Sequence, residues 1–107
     1  MSDRKHTELQ PGKIDPLFKW QWCEALRSGR YKQCRDTLRQ LDRSGDIAAY
    51  CCIGVGADVA GLAVRGLNTT TALDRTGIGY ANGTLLITLN DGGRTFPEIA
   101  DWIEDNL

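Results

Sequence analysis

The chain has a single histidine, His6, set among the charged residues that open the sequence. A cysteine–histidine nucleophilic pair needs a base beside the thiol, so that chemistry has no support. Cys-x-x-Cys pairs are also missing. Cys23, Cys34 and the adjacent Cys51 and Cys52 lack zinc-ligand spacing, and neighbouring residues on a helix point about 100° apart. Neither Gly-x-x-x-x-Gly-Lys nor Gly-x-Gly-x-x-Gly occurs, and Gly77-Ile78-Gly79 opens no predicted helix, so nucleotide hydrolysis is unsupported. No long apolar run is present either. Ile47 to Val64 is broken by Gly54, Gly56, Asp58 and Gly61, short of the roughly 20 apolar residues of a membrane span. Met1 to Ile14 holds no signal-peptide core. These absences predict a cytoplasmic protein whose thiols are small buried hydrophobes, with no catalytic residue, cofactor or metal and no membrane contact.

What is present suits one soluble domain. The 107 residues are 41% hydrophobic and 25% charged, and the formal net charge is −1, which argues against a general polyanion binder. Residues 1–14 read as a mobile tail and 15–107 as a single globular domain. Asp15-Pro16 starts a helix, since the carboxylate caps an orphan amide and proline at the first position loses no hydrogen bond. Phe18, Trp22, Ala25 and Leu26 form its buried stripe, Gly29 ends it, and Trp20 falls off the stripe. Tyr31, Cys34, Leu38 and Leu41 recur at helical spacing and predict a second helix from about Lys32 to Asp42, with an extended stretch around Tyr31 and Gln33 as the alternative. Ser44-Gly45-Asp46 is turn chemistry. Ile47 to Val64 then reads as a central buried helix whose small residues admit another backbone.

Arg65 to Gly83 reads as a long connection or a weak hairpin. Thr84 to Leu89 fits strand or helix equally. Thr95-Phe96-Pro97-Glu98 is a capping box for a last helix buried through Ile99, Trp102, Ile103 and Leu107. The expected fold is a compact, mainly α bundle of four or five helices, with room for a small hairpin in residues 65–87.

Charge is segregated. Arg27, Arg30, Lys32, Arg35, Arg39 and Arg43 against Asp36 and Asp42 give +4, while Asp91, Glu98, Asp101, Glu104 and Asp105 against Arg94 give −4. Arg35, Arg39 and Arg43 would line one helix face. Leu85 to Asn106 has a helix-turn-helix rhythm, but the last helix is acidic and none follows it, so a DNA-binding regulator is the weakest reading.

Three blocks stand in order: Trp22-Cys23-Glu24-Ala25-Leu26-Arg27-Ser28-Gly29-Arg30-Tyr31-Lys32-Gln33; Tyr50-Cys51-Cys52-Ile53-Gly54-Val55 with Asp58-Val59-Ala60; and Leu89-Asn90-Asp91-Gly92-Gly93-Arg94-Thr95-Phe96-Pro97-Glu98-Ile99-Ala100-Asp101-Trp102-Ile103-Glu104. Together they resemble a family of small tailed-phage and prophage proteins. Cys34, Ile53 and Ala57 depart from the family pattern, which usually has glycine, leucine and cysteine there. The resemblance implies a phage accessory protein acting on host defence or metabolism.

Two functional expectations follow. In the first, the chain is a counter-defence protein that sequesters a small anionic, nucleotide-like ligand. Arg27, Arg30, Lys32, Arg35 and Arg39 would meet phosphate, Tyr31 or Trp22 would stack on a base, and Gln33, Asn90 and Asp91 would supply directional contacts at loop junctions. In the second, it binds and inhibits a host protein through the acidic terminal helix, with Asp91, Glu98, Asp101, Glu104 and Asp105 as the complementary charges. A homo-oligomer is also expected, held by opposite charges or by the small-residue face of the Ile47 to Val64 helix.

Overall fold

The structure, a computed structural model, describes residues 10–107. Helix α1 (Pro16–Arg27) begins where the Asp15 carboxylate accepts from the Phe18 amide at 2.9 Å, and it buries Trp22, Cys23, Ala25 and Leu26. A short antiparallel hairpin follows, β1 (Arg39–Leu41) and β2 (Ile47–Tyr50), with Arg39 opposite Tyr50 and Leu41 opposite Ile47. Then come α2 (Cys52–Val59), a 3-10 turn at Val64–Gly66, α3 (Thr69–Thr76), α4 (Tyr80–Asp91) and α5 (Phe96–Asn106). Among the described residues, five helices around one core, with a two-stranded hairpin, make a compact, mainly α fold as the residue pattern predicts.

The second predicted helix does not form. Asp36 sits at φ +68°, in the left-handed region that interrupts a right-handed helix. The neighbouring backbone bonds across to β2 instead: the Cys34 amide donates to the Tyr50 carbonyl and the Tyr50 amide to the Lys32 carbonyl, both at 2.8 Å. Cys34 and Leu38 are buried all the same, so the apolar positions are used by an extended path. The charge stripe of Arg35, Arg39 and Arg43 disappears with the helix.

Three further corrections follow, the first from pairing between distant segments and the others from local turns and caps. Ile47 to Tyr50 is strand rather than helix: Tyr50 stands opposite Arg39 of β1, where the Cys51 amide donates to the Leu38 carbonyl, and its own amide and carbonyl bond on the other edge to Lys32 and Cys34. The helix after it ends at Val59 and Gly61 turns the chain at φ +84°. The hairpin therefore lies before α2 and not in residues 65–87, which are largely helical: Asn68 caps α3 by accepting from the Thr71 amide at 2.8 Å, and Gly77 ends it at φ +79°. Thr84 to Leu89 is helical within α4. There α3 crosses closely, since a Cβ on Gly83 would lie 2.5 Å from the Leu73 methyls.

The capping box of α5 is present in both halves, and Phe96, Ile99, Ala100 and Ile103 are its buried face. Of the predicted tail, Met1 to Leu9 lie outside the described residues. Beyond them, Asn82 holds both backbone groups of Gly12, at 2.8 and 3.0 Å, and the Ile14 amide donates to the Leu107 carbonyl. No helix among the described residues is long and apolar enough to cross a membrane.

Asp36 gives a local test. Its left-handed backbone suits glycine and tolerates aspartate, but penalises β-branched residues. Asp36→Val should lose about 1–2 kcal/mol in urea unfolding and Asp36→Gly should lose none.

Candidate functional site

The ten residues expected to meet a ligand do not converge. Trp22 is fully buried in the core, stacked on Phe18 with ring centroids 5.3 Å apart, and its Nε1 donates to the Cys52 carbonyl at 3.0 Å. It offers no surface to a base. Arg27 is held by two carboxylates of α5, Asp101 at 2.7 Å and Glu104 at 2.8 Å. These bonds hold the Glu104 carboxyl below its ordinary range. Arg39 donates through Nε to the Arg65 carbonyl at 2.8 Å beside the hairpin. Arg30 lies 5.8 Å from the centroid of the Tyr31 ring, while Lys32 and Arg35 are exposed and make no ion pair among the described residues. The Tyr31 hydroxyl donates to Asp58 at 2.5 Å, and burial followed by that bond pushes its pKa up to about 12.

Gln33, Asn90 and Asp91 are brought together, but the network faces inward. Asn90 is completely buried. Its Oδ1 accepts from Gln33 Nε2 at 2.9 Å and from the Cys52 amide at 3.2 Å; its Nδ2 donates to the Cys34 carbonyl at 2.9 Å and to Asp91 Oδ1 at 3.1 Å. Gln33 also donates to the Arg94 carbonyl, and the Asp36 amide donates to Asp91. Both polar atoms of the Asn90 side chain are used in joining the 33–36 loop, the start of α2 and the end of α4. A small cleft of about 110 Å³ lies over this network, lined by Asp36, Thr37, Cys51, Thr69 and Asp91 among others. Two carboxylates and no base line it, which repels a phosphate.

The thiols are unreactive by environment. Burial pushes Cys23 and Cys51 up to about 11 and Cys52 further still, so all three stay protonated at neutral pH. Each raised thiol contributes stability that is whole below the unfolded value near 9 and is lost as pH rises through the folded one. Alkylation by iodoacetamide at pH 8 should therefore be much slower in native protein than in urea, and thermal stability should fall above about pH 9. Rapid native labelling of Cys51 or Cys52 would contradict this burial.

The outer side of α1 is different. Leu17 and Trp20 are 63% and 60% exposed, and with Glu24 they recur three and four apart on one face. Between this face and α5 runs an open groove in two contiguous stretches, about 270 Å³ and 600 Å³, sharing Trp20, Cys23 and Glu104. Pro16 and Lys19 border the first, and Glu24, Arg27, Ser28 and Arg30 the second. The Lys19 ammonium donates to the Glu104 carbonyl at 3.2 Å, and Arg27 spans the groove to Asp101. Leu17 and Trp20 had no role in the expected ligand site. The signal was Trp20 itself, an aromatic off the buried stripe.

Two parts of the acidic surface are occupied elsewhere: Asp91 in the network, and Glu98 in the capping box, where it accepts from the Thr95 amide. Asp101, Glu104 and Asp105 remain exposed on α5. The small-residue seam expected to pair two copies is used inside the chain. A Cβ on Gly54 would lie 2.5 Å from the Leu38 carbonyl oxygen, and one on Gly56 3.1 Å from the Trp22 indole.

Comparison with curated proteins and with solved structures finds no match. A protein family does match part of the chain, from just before α1 to just after α2, a span that holds Leu17, Trp20 and the hairpin but not α5. Over residues 14–63 the chain is similar to a family described as a domain of unknown function (DUF8296).

Proposed function

We propose that this chain is a non-enzymatic accessory protein of a tailed phage or prophage that works in the host cytoplasm by binding and inhibiting a host protein through the α1–α5 face. The observation that carries this reading is the exposure of Leu17 and Trp20 beside a groove with Glu104 on its wall. Large apolar side chains at the surface lose most by staying in water, and tryptophan is prominent among residues that dominate binding energy. The phage assignment rests on the three sequence blocks, and their residues Glu24, Arg27 and Ser28 border the same groove.

The test compares co-purification of host proteins from infected cells using the wild type, Trp20→Glu, and the double variant Arg35→Glu/Arg39→Glu. A specific partner should be retained by the double variant and lost with Trp20→Glu, since removing a central aromatic anchor costs about 2 kcal/mol or more, at least a thirtyfold loss in affinity. Loss with the arginine reversals alone would discard this reading.

Sequestration of a nucleotide-like anion is the second reading. One observation favours it: Arg30 borders the same 600 Å³ groove as Trp20, so an exposed indole and a guanidinium share one open site. Glu24 and Glu104 on that rim oppose a dianion. Calorimetry against mono-, di- and cyclic nucleotides decides it, and absence of heat at high micromolar ligand discards it.

A further inference from the structure

We infer that Cys34 and Cys51 form a redox-sensitive clasp, two thiols placed to close a disulfide between the 33–36 loop and the start of α2. Gln33 pairs with Tyr50 in parallel, and each cysteine is the next residue in its segment. The Cys34 amide donates to the Tyr50 carbonyl at 2.8 Å, so the two segments still run side by side where the cysteines stand. Neighbouring strands lie about 5 Å apart, and paired residues put their side chains on one face. That separation falls within the roughly 4.4–6.8 Å between Cα atoms that a disulfide spans. Both residues are buried, at 4% and 6% exposure, which makes the shared face the inner one. The charge of a Cys34 thiolate is felt at Cys51.

The other two thiols are turned elsewhere. Cys23 donates to the Ala100 carbonyl of α5 at 3.6 Å, and Cys52 to the Leu86 carbonyl of α4 at 3.7 Å. Cys34 donates within its own loop, to the Thr37 carbonyl at 3.7 Å. Cys51 immediately precedes α2, where the Ile53 and Gly54 amides favour its thiolate, although burial outweighs them in the closed fold. It also lines the cleft of about 110 Å³ beside Asp36 and Thr37, so opening of the 33–36 loop uncovers it. Once uncovered, its thiolate attacks a low-molecular-weight disulfide, oxidised glutathione. One glutathione leaves as a thiolate and takes up the proton that Cys51 gave up. Cys34 then attacks the Cys51 sulfur of the mixed disulfide and expels the second glutathione. Two protein thiols are oxidised and one glutathione disulfide is reduced to two thiols. In a compartment that keeps thiols reduced, such a bond is transient and reports oxidation. Here it fastens the same seam that Asn90 joins by hydrogen bonds to the Cys52 amide and the Cys34 carbonyl.

The full-length chain is incubated with oxidised glutathione at about pH 8 without denaturant, then digested unreduced for peptide mass mapping. The expected product has lost two hydrogens and carries a Cys34–Cys51 cross-link. It should melt about 5–15 °C higher than the reduced chain, until dithiothreitol returns it to the starting value. Cys34→Ala should stop at a single glutathione adduct on Cys51, and Cys51→Ala should give neither that adduct nor the cross-link, with circular dichroism confirming both folds. In urea the selectivity should vanish, with links spread among all four cysteines. A Cys51–Cys52 link in native protein, adducts on the wild type without a cross-link, or no native oxidation while the urea sample oxidises overturns the inference. Should either variant fail to fold, the wild-type cross-link map decides alone. Partner capture plays no part in this test, so the clasp and the partner-binding reading stand or fall independently.

Discussion

Asn90→Leu is expected to remove about 3–5 kcal/mol of stability, a large share of the 5–15 kcal/mol typical of a domain. Leucine has the same branched skeleton and is somewhat larger, so no cavity opens and the loss comes from hydrogen bonding, with overpacking added at this fully buried site. The Cys52 amide and the Cys34 carbonyl would lose the Asn90 partner in the interior, each costing about 1–3 kcal/mol. Gln33 would retain only the Arg94 carbonyl. Thermal melting should fall by roughly 10–20 °C, and hydrogen exchange should quicken in the 33–36 loop before it does in α5. A melting point within about 2 °C of wild type would mean that the network is not what joins this loop to α2 and α4. Asn90→Asp separates donor from acceptor. It keeps the Oδ1 acceptor but sets a carboxylate against the Cys34 carbonyl and Asp91, where only the protonated form can donate. That raises the folded pKa of the new group, so this variant should be most stable at low pH and lose stability as pH rises through the folded value.

Asn90 also shows where a sequence stops being legible. Asn90-Asp91-Gly92 has the composition of a surface turn, and the turn does follow at Gly92 and Gly93. What composition does not carry is that the asparagine precedes the turn on the inner face of α4, under loops from elsewhere in the chain. Caps behave in the opposite way. Asp15-Pro16 and Thr95 to Glu98 complete their bonds within one helical turn, and both ends stand where the residues predict. Between them, Tyr31, Cys34, Leu38 and Leu41 had helical spacing, yet their segment takes its bonds from β2. The choice was made by Tyr50, which lies far along the sequence. In residues 65–87, single glycines at φ +79° and +86° bound short helices that resemble loop in composition. The charged face was legible as charge. Its division into Arg27 pairing with α5 and Asp105 left exposed depends on how α1 packs on α5.

Trp20 and Trp22 lie two residues apart, and their replacement by alanine should give opposite results. Two positions on a helix are about 200° apart, so one indole must point outward when the other points in. Trp22 is packed against Phe18 and Gly56 and gives its indole hydrogen to the Cys52 carbonyl. Trp22→Ala opens a large void and removes that bond, and about 3–5 kcal/mol should be lost. Gly56 has no side chain to move into the gap, so little of the void should close. Trp22→Phe keeps most of the volume and loses only the donor, and should fall between wild type and alanine. Trp20→Ala, at a site 60% exposed, should change stability by no more than about 0.5 kcal/mol. Urea unfolding of the three variants checks the order. A loss of about 2 kcal/mol or more for Trp20→Ala would make that indole part of the core, and its exposure could then no longer support a binding role. Preserved stability together with lost partner capture would separate folding from recognition on a single helix, with Trp22 serving the first and Trp20 the second.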